Sequence, residues 1–196
     1  GAQDVPEIRE QFLRIIHDES ERMQTLVEDL LELSRLEQDN YQLETAIVDV
    51  TSLVRETAEL LHRRAAEKEM MIHIETEEEV FIRADLNRLK QVVVNLVANA
   101  LNYTPNGGNV WIQLEDGEES VQLIIKDDGI GIHPKETQRI FERFYRVDKA
   151  RSRNSGGTGL GLAIVKHIVD LHHGEIDVES AEQQGTTFTI RLPKHG

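Results

Sequence analysis

Apolar side chains at the N-terminal end of the chain recur at the spacing of a helix. From residue 6 to about residue 38 there is no glycine and, after Pro6, no proline. Phe12, Ile16, Met23, Leu26, Leu30 and Leu33 fall on alternating steps of three and four, with Glu19 as the single polar interruption. Ile15, Val27 and Leu31 widen that stripe beyond a two-stranded seam. The pattern predicts one long helix. It either seeks a bundle partner or lies on its own globular domain, and its length and edge position favour the bundle.

The texture changes after Asn40. Residues 45–50 read as a strand and residues 51–68 as a helix whose buried positions are Leu53, Val54, Ala58, Leu60 and Leu61. Strands are predicted at 70–75 and 80–83, around an acidic turn, Glu77 to Glu79, that reads as a solvated loop. Asp85 is placed to cap a strongly apolar helix reaching residue 102. Strands near 109–115 and 120–126 meet around Gly117. A long segment follows to residue 157, predicted to hold one short helix at 134–141 and a basic stretch, and a loop of that length in a compact domain is usually functional. A helix over 159–172 and strands at 175–180 and 186–192 complete the reading.

Composition narrows the function classes. The 196 residues hold 36 acidic and 22 basic side chains, a formal net charge of -14, so the overall field repels phosphate backbones and argues against nucleic-acid binding. The absence of cysteine removes disulfides and thiolate metal sites, and no apolar run approaches the roughly 20 residues of a membrane span, so the chain is expected to be soluble.

Three motifs carry the chemistry. In Asn95-Leu-Val-Ala-Asn99-Ala-Leu-Asn102-Tyr103-Thr104, Asn95 and Asn99 sit one turn apart, so both amides project from one face of an otherwise apolar helix. Such amides need polar partners: either backbone carbonyls, or a hydrated Mg²⁺ carrying nucleotide phosphates, since Mg²⁺ takes few protein oxygens. In Asp127-Asp128-Gly129-Ile130-Gly131 a strand ends in a carboxylate followed by glycines. This is either an exposed turn or a reader of the exocyclic amine of adenine, with glycines admitting the ring close to the backbone. Gly157-Thr158-Gly159-Leu160-Gly161 opens a helix, whose N-terminal N–H groups and dipole suit phosphate. Arg143, Arg146, Lys149, Arg151 and Arg153 form a basic island suited to a polyphosphate or to a solubilising loop. No P-loop, Rossmann fingerprint, His-Arg-Asp or Asp-Phe-Gly string is present, so those nucleotide-binding classes are excluded.

Together, in this order and with Phe141-Glu-Arg-Phe144-Tyr-Arg146 between the last two, these motifs resemble the catalytic and ATP-binding domain of bacterial sensor histidine kinases, within the wider group that includes Hsp90, gyrase B and MutL. The resemblance implies an α+β fold of Bergerat type, an α/β sandwich in which a mixed sheet is backed by helices, preceded by one long bundle-forming helix. It implies ATP and Mg²⁺ as cofactors: Asn99, with Asn95, as metal ligands; Asp127 as adenine reader, flanked by Gly129 and Gly131; Tyr103 and Ile132 in the base pocket; and Thr186 closing it. Arg146 and Arg143 would contact phosphates, and Gly157, Gly159, Leu160 and Gly161 would form the lid hinge and phosphate cradle. Stretch 140–166 looks especially like the phosphate-responsive sensor kinases of Gram-positive bacteria.

Two positions qualify the likeness. Where the related ATPases look to have a water-activating glutamate this chain has Asn95, which is no general base at neutral pH, so transfer to a protein nucleophile is favoured over hydrolysis. Asn102 stands where many sensor kinases carry a lysine or arginine, which puts one phosphate contact in question. Residues 1–40 look like the second helix of the dimerisation and phosphotransfer hairpin, and 45–196 like the ATP-binding domain. His17 lacks the Arg/Lys-Thr-Pro of a phosphoacceptor box, so the accepting histidine is expected to lie outside the chain and the fragment is not expected to phosphorylate itself. The expected partners are the protein's own hairpin, in a homodimer, and a response-regulator receiver domain. The expected setting is the cytoplasmic side of a membrane-anchored parent, the anchor lying in segments absent here. The competing readings are an ATPase-type conformational machine, a nucleotide-sensing module and a serine kinase on the same fold.

Overall fold

Along β4 (Asn109–Asp116) as far as Leu114, β5 (Ser120–Asp127) and β7 (Thr186–Pro193), buried residues alternate with residues open to solvent, the signature of a sheet with one face covered. With β2 (Met71–Glu75) and β6 (Glu175–Ser180) they form a five-stranded sheet in the order β2-β4-β5-β7-β6. The β2–β4 pair is parallel and the remaining pairs antiparallel, so the sheet is mixed. A separate antiparallel pair joins β1 (Ala46–Asp49) to β3 (Phe81–Ala84). This computed structural model describes residues 6–38, 40–76, 78–147 and 157–194.

The register of the sheet decides where the chemistry goes. One inward row runs Ile74–Ile112–Ile125–Phe188–Val178 across all five strands. Two residues along, on the same face by strand periodicity, the next row reads Ile72–Val110–Asp127–Thr186–Ser180. The sheet's apolar face therefore ends in three polar groups side by side.

Helices α2 (Val50–Glu67), α3 (Leu86–Tyr103) and α4 (Gly161–Leu171) back this face. Asp49 starts α2 by accepting from the Ser52 N–H at 3.0 Å, which is why the helix begins at Val50. Asp85 likewise caps α3 through the N–H groups of Asn87 and Arg88. The buried ridge of α2 is Leu53, Thr57, Leu61 and Ala65, an i,i+4 row. Leu60, predicted inside, is 63% exposed because it stands about 100° from Leu61 around the axis. Thr57 takes a core place by donating its hydroxyl to the Leu53 carbonyl at 2.9 Å.

Two other expectations are corrected. Residues 134–141 form consecutive turns rather than a helix, with Glu136, Arg139 and Glu142 N–H groups each bonding a carbonyl three residues back. A segment this short does not repay helix nucleation. Helix α4 starts at Gly161 and not at 159, because Gly159 has φ +76°, outside the helical region. Lys149, Arg151 and Arg153 lie outside the described residues, as does Glu77.

Helix α1 (Pro6–Leu36) divides the two sequence expectations between its ends. Its last turns lie on its own domain: Leu33 and Leu36 are buried, His167 Nε2 donates to the Leu36 carbonyl at 2.8 Å, and Arg88 binds both Glu32 and the Tyr41 hydroxyl. Further back, Phe12, Ile16, Met23 and Leu30 stay exposed. Among the described residues no helix is long and apolar enough to cross a membrane.

Candidate functional site

Helix α3 is the floor of the site. Leu89, Val92, Val93, Leu96 and Val97 bury one side of it against the sheet, which turns Asn95, Asn99, Asn102 and Tyr103 toward a cleft. Its C-terminal end is held by α2: Lys68 Nζ donates to the carbonyls of Leu101 and Thr104, the latter at 2.8 Å. A cation at those unpaired carbonyls also opposes the negative end of the helix dipole. Burial, and then the neighbouring Arg64 charge, lower the Lys68 pKa. One turn earlier on α2, Arg64 Nη2 donates to Asn102 Oδ1 at 2.6 Å.

The inner end of the cleft is built on the polar row of the sheet. Asp127 is 5% exposed and its pKa is pushed up to about 6, chiefly by desolvation, against the lowering effect of N–H donation from Gly129 and Thr186; the nearby Asp128 charge raises it further. The Gly129 N–H reaches Asp127 Oδ1 at 2.9 Å. Ser180 Oγ accepts from the Ile132 N–H at 2.8 Å and donates to the Gly185 carbonyl at 2.8 Å. Its single proton is thereby used, so in its 3.0 Å contact with Thr186 Oγ1 the threonine must donate. The Thr186 lone pairs are left for the cavity, beside the acceptor oxygens of Asp127. Glycine is required at 131 and 185: both have positive φ, and a Cβ would fall on the carbonyl oxygens of Ala181 and Asp127 respectively.

The outer end is lined by the strip that opens α4. Gly157, Thr158, Gly159 and Gly161 face the cleft, and the Gly161 carbonyl accepts from Asn95 Nδ2 at 3.3 Å, which leaves the Asn95 amide oxygen as the atom available to a ligand. Thr158 donates to Asp29 of α1 at 2.6 Å. Asp29 has a raised pKa, first from burial and then from Glu28, with the threonine bond working the other way.

These groups enclose two adjoining cavities. The inner one, ≈ 100 Å³, is lined by Asp127, Gly131, Ile132, Thr186, Tyr103 and Arg146, among others. The outer one, ≈ 270 Å³, is lined by Asn95, Gly157, Gly159, Gly161, Thr25, Asp29 and Arg64, among others. Asn99, Tyr103 and Arg146 border both, so one elongated ligand lying across them would touch all three. The sequence-predicted residues thus converge, with three exceptions. Gly129 lies behind Asp127 as its donor, Leu160 is fully buried in the core, and Arg143 lines neither cavity because its guanidinium pairs with Glu37 of α1. Sequence reasoning missed Ser180, Gly185, Asp29 and Arg64, which carry no local motif and reach the site only through strand register and helix packing.

The donor set fits a hard cation in one way. Among the described residues no group of three His, Cys, Asp or Glu side chains could hold a metal ion, so a protein cage is absent. Two neutral amide oxygens one turn apart suit an ion that brings its own water and phosphate oxygens.

Comparison with known proteins agrees with this geometry. Residues 84–196 match the family described as histidine kinase-, DNA gyrase B- and HSP90-like ATPase, and residues 2–39 match the His Kinase A (phospho-acceptor) domain. The sensor histidine kinase WalK of Bacillus subtilis is 40% identical over 98% of the chain, and the sensor protein kinase WalK of Staphylococcus aureus 38% over 98%. The chain spans only 32% and 47% of those two relatives. Among solved structures, full-length ShkA in complex with AMPPNP superposes with a TM-score of 0.81 at 29% identity, covering 98% of this chain and 40% of that one. Histidine kinase ThkA in complex with the response regulator TrrA gives 0.77 at 28%, covering 97% and 52%. A mycobacterial sensor histidine kinase, MprB, gives 0.67 at 31%, covering 77% of this chain and 98% of that one. Matched over more than half its length, and with a mixed sheet backed by helices around the asparagine helix, the chain belongs to the histidine kinase-, DNA gyrase B- and HSP90-like ATPase family.

Proposed function

We propose that this chain is the ATP-binding core of a two-component sensor histidine kinase, transferring the ATP γ-phosphoryl to a histidine for relay to a response-regulator aspartate. The observation that carries this reading is the pair of adjoining cavities: an inner one with buried acceptors for an amine-bearing base, and an outer one with amides, glycine N–H groups and cations for phosphates. Asp127 and the Thr186 hydroxyl would accept from the exocyclic amine of adenine, with Tyr103 and Ile132 as apolar walls. Asn99 and Asn95 would hold Mg²⁺, which supplies charge neutralisation on the phosphates. Arg146, bordering both cavities, would bridge base and phosphate ends, and the 157–161 strip would close over the phosphates. Catalysis in such a site is positioning and electrostatics.

Asn95 supports transfer over hydrolysis, because an amide takes no proton from water at neutral pH. That favours the kinase over the ATPase-type machine. The long α1, with its exposed apolar stripe, favours a bundle-forming kinase over a serine kinase acting on a small partner. His17, the one histidine within residues 2–39, is solvent-exposed between Asp18 and Glu21, without the basic-Thr-Pro sequence of an acceptor. The accepting histidine is therefore assigned to a hairpin helix outside this sequence, with the homodimer and the membrane anchor belonging to the whole protein. The likeness to phosphate-responsive kinases stays an expectation; the curated relatives reported above are WalK proteins.

The test is phosphotransfer from radiolabelled ATP with Mg²⁺, with and without a separate hairpin bearing an acceptor histidine from a similar kinase. Acid-labile, base-stable label on the hairpin alone is the expected result. Label on this chain would return the acceptor role to His17, and free phosphate without labelled protein would favour the ATPase.

A further inference from the structure

The outer cavity is lined by Arg64, a residue on α2 some thirty positions before the first nucleotide-binding motif. Three observations bear on it. Its guanidinium donates to the neutral Asn102 amide oxygen at 2.6 Å, and among the described residues no carboxylate forms an ion pair with it. A neutral acceptor steers a guanidinium without cancelling its charge, and one bond of this kind uses one of five N–H donors. Second, Arg64 lines the outer cavity and not the inner one, so it stands on the side away from Asp127. Third, the other predicted phosphate contact, Arg143, is turned onto Glu37 and lines neither cavity. Lys68, which caps the end of α2, is committed to the end of α3. Burial first, and then the Arg64 charge, lower its pKa, so the two cations lie close enough to repel each other.

We infer that Arg64 is a phosphate-binding residue of the outer cleft, aimed by Asn102, and that it supplies from α2 the cation that α3 lacks at position 102. The ligand class is a nucleoside triphosphate, whose terminal phosphates lie furthest from a base seated at Asp127. This rests on the ATP reading above. A guanidinium adds a full positive charge and a bidentate fork to the N–H bonds that an amide could also donate, so its contribution is directed to the polyphosphate.

The experiment is calorimetric titration of the whole chain with ATP plus Mg²⁺, with ADP and with adenosine. Arg64→Gln is expected to weaken ATP about tenfold, ADP less, and adenosine not at all. Asn102→Ala, which removes the steering acceptor and leaves the guanidinium in place, is expected to weaken ATP about threefold. The double variant Arg64→Gln with Asn102→Lys restores a cation from the α3 side and is expected to recover most of the ATP affinity. Unchanged ATP affinity in Arg64→Gln overturns the inference, as does an equal loss for ATP and adenosine, which marks damage to the fold. A wild-type chain that binds ATP no better than adenosine overturns the ATP reading itself, and the inference falls with it.

Discussion

At the inner end of the cleft, Asp127, Thr186 and Ser180 stand in one cross-strand row, their spacing set by backbone ladders and their hydroxyl protons assigned by fixed acceptors. At the outer end, Asp29, Arg64, Asn95 and the 157–161 strip come from four separate stretches joined by side-chain bonds. The difference separates a framework fixed by backbone register from one held by single side-chain bonds. A ladder can slip only by whole residues, and a slip of one residue exchanges its faces, whereas a Thr158–Asp29 bond breaks at the cost of one hydrogen bond. The inner end is suited to reading a rigid base, and the outer end to admitting and releasing flexible phosphates.

Substitutions that place a side chain on the ladder should have the largest effect. Gly185→Ala adds a Cβ at φ +80° directly against the Asp127 carbonyl, and is expected to cost about 3 kcal/mol or more in urea unfolding. Next comes pH. Asp127 carries a folded pKa of about 6 against an ordinary 3.8, so its contribution to stability is fully present below about pH 3.8 and is lost as pH rises through 6. The loss is on the order of 3 kcal/mol in the ligand-free chain, and Asp127→Asn should abolish that slope. Nucleotide affinity should run the opposite way, falling as pH drops through about 6, because Asp127 in its proposed role as amine reader must be ionised; affinity independent of pH across this window would sever Asp127 from the base.

Smaller effects are expected at the outer end. Asp29→Ala should change stability by less than about 1 kcal/mol, since the lost threonine bond is offset by removal of a desolvated carboxylate. It should nevertheless speed amide exchange at Gly159 and Leu160, and unchanged exchange would mean that the strip is not held by α1. Gly157→Ala meets no atom within 4 Å and should alter stability by under about 0.5 kcal/mol. If it proved as costly as Gly185→Ala, the contrast between the two ends would collapse.

The asparagine spacing, the strand-terminal Asp127 and the glycine strip were legible because each is local: helical and strand periods are fixed by backbone geometry, and a short string shows which face it presents. Arg143 was misplaced by the same reasoning, being close in sequence to Arg146 but drawn to Glu37, a residue more than a hundred positions earlier. The helix expected at 134–141 failed because a few favourable residues do not offset nucleation once turns and the burial of Ile140 fix the chain otherwise.

The sequence by itself determined the elements, the faces they present and the kind of chemistry their motifs allow, all of which follow from interactions within one or two turns of chain. Only the tertiary structure decided that Thr186 and Ser180 join Asp127 in one row, that Lys68 and Arg64 meet the end of α3, and that Asp29 reaches Thr158. Those partners are separated by tens of residues, and they meet because sheet register and helix packing bury the apolar rows between them, an outcome that depends on the whole core at once.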